Sequence, residues 1–106
     1  MLRFRLAPLA ALPRDRLAAF TVPGLTWPLL ATVLDGEVVV TAGVCPHEDV
    51  GLADGELDGA CLTCPGHGYQ FDLRTGACAH DRRLTLRRYR ATVVDGDVWI
   101  ELAAAP

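Results

Sequence analysis

Two short loops govern what this chain can fold into. Cys45-Pro46-His47 and Cys64-Pro65-Gly66-His67 each carry one thiol and one imidazole, and sixteen residues separate His47 from Cys64. Thiolate and imidazole donors at such spacing are a metal-site signal. A zinc finger of the usual kind puts both cysteines in one loop and both histidines in another. Here each loop supplies one of each, which suits an object with two metals, one end held by sulfur and the other by nitrogen. Pro46 and Pro65 directly follow the two cysteines, fixing φ and stiffening the loops where few ladder hydrogen bonds are lost. Gly66 and Gly68 allow the backbone to come close, so that amide N–H groups can bond sulfur.

A Rieske [2Fe-2S] centre is such an object, with two histidines replacing two cysteines on one iron. C-x-H, sixteen residues, then C-x-x-H-G-Y-x-F-D-x-x-T-G resembles the Rieske-type ferredoxins, the electron carriers of bacterial aromatic-ring dioxygenases and multicomponent monooxygenases. The resemblance spans essentially the whole chain, with its specific motifs between Cys45 and Gly76. It implies an all-β Rieske iron–sulfur fold of small antiparallel sheets, with two cluster-binding loops at one end. It also implies that Cys45 and Cys64 hold the inner iron and His47 and His67 the outer one. Two neutral imidazoles in place of two thiolates raise the potential above that of all-cysteine ferredoxins, into a range of roughly −150 to +300 mV. High-potential Rieske proteins carry an extra, disulfide-bonded cysteine in each loop and a serine after the His-Gly pair. Here Val50 and Gly66 stand at the first two positions and Tyr69 at the third. The chain therefore looks like a low-potential ferredoxin.

The 106 residues are expected to form one domain, 1–106, with a modest core. Apolar residues make up 51%, which argues against disorder. Apolar runs are short and broken by charge, so no membrane span is expected. Arg3 and Arg5 are followed by no apolar run of signal-peptide length, and the expected location is the cytoplasm. In that compartment four cysteines favour metal over disulfides. A net charge of −3 argues against nucleic acid as partner. Charge is unevenly placed. Glu48, Asp49, Asp54, Glu56 and Asp58 lie between Cys45 and Ala60 with no base among them. Arg74, Arg82, Arg83, Arg87, Arg88 and Arg90 lie between Leu73 and Arg90 against Asp81 alone. Solvated faces account for such runs equally well.

Along the chain, Leu2 to Ala7 reads as a first strand with Phe4 and Leu6 on one face. Pro13 suits the first residue of a short helix that buries Leu17 and Phe20 and ends at Pro23-Gly24. Leu29–Leu34 and Val38–Val44 read as a hairpin about Asp35-Gly36 that delivers the chain into Cys45. Leu52 and Leu57 are the expected inward residues of the crossing between the loops. Ala60–Thr63 and Tyr69–Asp72 flank the second loop, and Arg74-Thr75-Gly76 turns the chain. Leu84–Val94 and Asp97–Leu102 form a last hairpin about Asp95-Gly96, with Tyr89, Ala91 and Val93 on one face of the first strand and Val98, Ile100 and Leu102 on one face of the second. Ala103 to Pro106 reads as a frayed tail.

Cys61 and Cys78 fall outside the two-loop pattern. Cys61-Leu62-Thr63-Cys64 is a C-x-x-C, yet Cys61 on a short strand reads better as a small apolar filler. Cys78-Ala79-His80 repeats C-x-H without the proline and after the Gly76 turn. Trp27 and Trp99 read as packing residues. The resemblance implies a monomeric one-electron carrier and no catalyst in its own right. Its partners would be a flavoprotein NAD(P)H reductase and a terminal oxygenase of aromatic hydrocarbon catabolism, either a di-iron monooxygenase or a Rieske dioxygenase. Two other readings stay open: a small Rieske-fold subunit of an oxidoreductase such as nitrite reductase, and a zinc-stabilised binding module.

Overall fold

Leu29 to Leu34 is apolar at every position but Thr32, and a strand of that composition can be buried on both faces. In the computed structural model, which describes residues 2–102, all six of its residues are buried. The strands are β1 (Leu2–Pro8), β2 (Ala18–Phe20), β3 (Leu29–Leu34), β4 (Glu37–Ala42), β5 (Glu56–Asp58), β6 (Cys61–Thr63), β7 (Gln70–Asp72), β8 (Arg88–Tyr89), β9 (Ala91–Val94) and β10 (Asp97–Leu102). They form three antiparallel sheets in the orders β1-β10-β9, β2-β3-β4-β8 and β5-β6-β7. Among the described residues there is no α-helix, and none long and apolar enough to cross a membrane. The all-β class and the small antiparallel sheets expected from the sequence are what the molecule has.

Strand β3 divides two cores. Leu30 and Leu34 face one, with Leu52, Leu62, Phe71, Leu73, Leu86 and the thiols of Cys45, Cys64 and Cys78. Leu29, Ala31 and Val33 face the other, with Val22, Val40, Val98 and Ile100. Alternation along a strand produces this division without any further device. The β3–β4 turn has Asp35 at φ 51° and Gly36 at φ 81°, the two left-handed residues of a tight hairpin. Asp95 and Gly96 repeat it at φ 51° and 79°.

Four details differ from the sequence reading. No helix follows Pro13; a 3-10 turn (Leu9–Ala11) precedes it and Ala18–Phe20 instead pairs with β3. The Pro13 carbonyl accepts both the Val33 N–H and the Thr32 hydroxyl, each at 2.8 Å, which ties this segment to β3. An edge strand needs such partners more than an isolated helix of two turns gains by coiling. Second, Leu84–Val94 is not one strand. The chain changes sheet at Arg90, so that Arg88 and Tyr89 pair with β4 and Ala91–Val94 with β10. Val93 then sits at an open sheet edge, 46% exposed, while Tyr89 and Ala91 are half-buried. Third, Glu56–Asp58 is a strand, paired with Cys61–Thr63. Fourth, a register shift between Arg5 and Ala7 in β1 turns Ala7 into the second core, beside the half-buried Phe4 and Leu6. Leu52 is fully buried and Leu57 half-buried; Val98 and Ile100 are fully buried. The tail Ala103–Pro106 lies outside the described residues.

Gly76 and Gly36 separate two costs of a left-handed position. Both have positive φ, but a Cβ at Gly36 would meet nothing, whereas one at Gly76 would strike the Leu86 carbonyl oxygen. Gly36→Ala is expected to cost about 1 kcal/mol, the conformational penalty alone. Gly76→Ala is expected to cost about 3 kcal/mol, because backbone must move. Urea midpoints of the two variants check the difference, and equal midpoints would contradict it.

Candidate metal centre

Each loop is closed by one backbone bond donated from its cysteine. The Cys45 N–H reaches the Val50 carbonyl at 2.9 Å, and the Cys64 N–H reaches the Tyr69 carbonyl at 2.8 Å. Strand β4 leads into the first loop, whose base is pinned by a Val44–Gly51 bridge; β6 and β7 flank the second. Gly68 takes φ 74° and donates its N–H to the Cys64 carbonyl at 3.1 Å, a turn that a Cβ would strain. Gly66 N–H lies 3.4 Å from Cys64 Sγ. This is the amide-to-sulfur contact that glycine at this position allows.

The loops bring the two thiols together and the two imidazoles together, and set the two pairs in different surroundings. Cys45 and Cys64 are each 2% exposed and sit in the first core. The side chains of His47 and His67 are 31% and 59% exposed, with ring centroids 5.3 Å apart and planes at 84°. Burial pushes the Cys45 thiol up. The amides of His47 and Glu48 act against that shift, and the adjoining Cys64 side chain adds to it. Bringing two thiols together in an apolar pocket is unfavourable for thiolates until a cation joins them.

Among the described residues, the donor atoms of His47, Glu48 and His67 lie within 4.8 Å of one another, and neither cysteine belongs to that group. A tetrahedral zinc would draw all four ligands around one point. A sulfur end below and a nitrogen end above instead suit a binuclear group, and the donor set fits a [2Fe-2S] cluster.

Glu48 and Tyr69 are site residues that the motif did not assign. A Glu48 carboxylate oxygen lies 2.5 Å from His67 Nδ1 and 3.9 Å from His47 Nδ1. Its place directly after His47 was the available signal. The Tyr69 ring stacks on His47 with centroids 4.1 Å apart and planes at 27°. Cys61 and Cys78 do not join the site. Cys61 pairs with Asp72 on β7, and Cys78 is buried opposite Phe71 in the core. His80 is separated from His47 by Tyr69, whose ring lies 5.7 Å from it. Trp99 lies under Arg3 on the β10 sheet; Trp27 is 36% exposed and would meet a Cβ on Gly51.

The acidic run divides in space. Glu48 and Asp49 stand in the first loop, whereas Asp58 pairs with Cys61 at the end of β5 away from Cys64. Asp81 and Arg83 form a pair on the same flank as Tyr69 and His47. The Arg83 guanidinium, and behind it the Arg83 amide, hold the Asp81 carboxyl below its ordinary value.

Comparison with known proteins gives one family. The model of the Rieske [2Fe-2S] domain matches residues 3–90. The ferredoxin component of the p-cumate 2,3-dioxygenase system of Pseudomonas putida is 37% identical over 75 residues, which cover 69% of this chain and 64% of that relative's own length. The Sphingomonas yanoikuyae B1 ferredoxin superposes with a TM-score of 0.84 at 33% identity, over 96% of this chain and all of that one (100%). The ferredoxin of carbazole 1,9a-dioxygenase from Nocardioides aromaticivorans IC177 superposes with a TM-score of 0.80 at 26% identity, over 94% and 97%.

Val50 and Gly66 face each other across the loops: a Cβ at Gly66 would lie 3.3 Å from Val50 Cγ2. A Val50→Cys/Gly66→Cys pair is therefore expected to oxidise to a disulfide, the Glu48 carboxylate near Gly66 swinging aside. Closing a loop of this length should stabilise the chain by about 3 kcal/mol. Peptide mapping and urea curves of the oxidised against the reduced variant check this. A bond that does not form, or that lowers the midpoint, would contradict the facing geometry.

Proposed function

The chain belongs to the Rieske [2Fe-2S] domain family, and from that membership we propose that it is the ferredoxin of a multicomponent oxygenase. It takes one electron from an NAD(P)H-dependent flavoprotein reductase and passes it to a terminal oxygenase. The observation that carries the reading is the sorting of the site: two buried thiols and two outward imidazoles on two loops closed in the same way. The p-cumate relative, named as the ferredoxin component of a dioxygenase system, supports an oxygenase as the recipient.

In this reading Cys45 and Cys64 hold the inner iron, and His47 and His67 the outer one. When bound, the cluster supplies one-electron exchange at a potential that its surroundings set. The residues do the rest. Leu52, Leu62, Phe71 and Leu73 pack beside the cysteines and keep water from the sulfur end. The exposed imidazoles bring the nitrogen end to the surface, where a partner can approach. Valine at 50, glycine at 66 and tyrosine at 69 stand where high-potential relatives carry the disulfide and the serine, which supports a potential in the low part of the Rieske range. The chain is a carrier and leaves catalysis to its partners. We assign it to the cytoplasm, where cysteines in a metal-binding pattern stay reduced.

The test of the ligands is spectroscopic. Cys45→Ser, Cys64→Ser, His47→Cys and His67→Cys are each expected to abolish the Rieske EPR signal. Cys61→Ser and His80→Ala are expected to keep it. Loss in His80→Ala with retention in His67→Ala would move the nitrogen end elsewhere.

Glu48 and Asp49 beside the histidines supply the charge that orients encounter. Rim charges mainly steer and select orientation, and salt screens them over roughly 10 Å at 0.1 M. Stopped-flow reoxidation of the reduced protein by its oxygenase is expected to slow several-fold from low to moderate salt. Asp49→Lys should slow it at low salt while the potential stays near its starting value; Glu48→Lys should slow it too, and should also shift the potential, because the Glu48 carboxylate lies against His67. A rate indifferent to salt and to both substitutions would leave these acids as a solvated face.

A further inference from the structure

We propose that Tyr69 is the positioning residue for His47, holding that imidazole at the angle the nitrogen end of the site requires. This deepens the ligand assignment above and rests on it. The two histidines have different neighbours. The Glu48 carboxylate lies 2.5 Å from His67 Nδ1, whereas for His47 it is 3.9 Å away, beyond hydrogen-bond distance. Among the described residues, no side-chain hydrogen bond orients its ring. An imidazole on a surface loop turns freely about its terminal torsion unless something packs against it. Ligand histidines usually take their orientation from a hydrogen bond to the second ring nitrogen. Here an aromatic face takes that place: the Tyr69 ring is stacked on His47 at 4.1 Å and 27°.

The position of Tyr69 in the chain makes the contact effective. Its carbonyl accepts the Cys64 N–H at 2.8 Å and so closes the second loop, while its ring covers the histidine of the first. One residue thus sets the distance between a cysteine of one loop and a histidine of the other. The ring is itself confined. It is half-buried against the first core, and His80 lies beyond it at 5.7 Å and 42°. What matters in this arrangement is the flat ring. The phenol hydroxyl has no assigned part in it.

The variants follow from that distinction. Tyr69→Phe keeps the ring and is expected to match the parent in the EPR g-values of the reduced protein, in reduction potential, and in rate of cluster loss to a chelator within twofold. Tyr69→Leu removes the stack. It should lose the cluster about tenfold faster, the effect of one lost aromatic pair. Its g-values should shift, and one of the two histidine nitrogen couplings read by pulsed EPR should change while the other stays. A change in one coupling only is a readout that general destabilisation would not produce. Tyr69→Met, which fills volume without a ring, stands in if Tyr69→Leu does not accumulate. Failure of both to yield folded protein would make Tyr69 a residue of the fold and overturn the proposal. So would a Leu or Met variant with parental spectrum, potential and loss rate, or a Phe variant that behaves like Leu. The ligand assignment fails separately: it falls if His47→Ala keeps two histidine nitrogen couplings, whatever Tyr69 does.

Discussion

Two backbone hydrogen bonds, from the cysteine N–H of each loop back across that loop, are what the site depends on. A loop leaving a strand end has no ladder to hold it, and its orphan amides must find partners nearby. Closing each loop on its own cysteine satisfies that demand and settles direction at once. The thiol enters the core that its strand already borders, and the imidazole two or three residues on is carried outward. Because both loops solve the problem alike, their thiols meet underneath and their imidazoles meet above.

The loops could not hold this arrangement alone. Strands β5, β6 and β7 have three residues each, too short to persist without packing. Their stability comes from Leu62 and Phe71, both at most 1% exposed, set against Leu30 and Leu86. Strand β3 links that core to the second one, where Val98 and Ile100 of β10 anchor the rest of the chain. The half of the molecule without the site therefore serves as a base for the half that has it. A volume change in β3 would be felt on both sides, since interiors this closely packed transmit strain.

Charge beside the site has both signs: Glu48 lies against the histidines, and Asp81 and Arg83 pair with each other. Arg74, far along the chain, is held 2.6 Å from Asp35 at the β3–β4 turn, so part of the basic run is spent on the scaffold.

The sequence by itself determined the donor types of the candidate site and most of the strands. Two C-P motifs, each with its histidine, and the H-G-Y-x-F-D extension are local in sequence. So are Asp35-Gly36 and Asp95-Gly96, whose left-handed turns need only short-range sterics. What lay beyond it were the choices that depend on partners distant in the chain. Ala18–Phe20 is a strand because β3 offers an edge and Pro13 a carbonyl, not because of its own composition. The break at Arg90 exists because two sheets compete for one segment. The contacts of Glu48 with His67 and of Tyr69 with His47 join one loop to the other across the fold. Only the packed core decides how closely those loops approach, and with that which side chains meet across them.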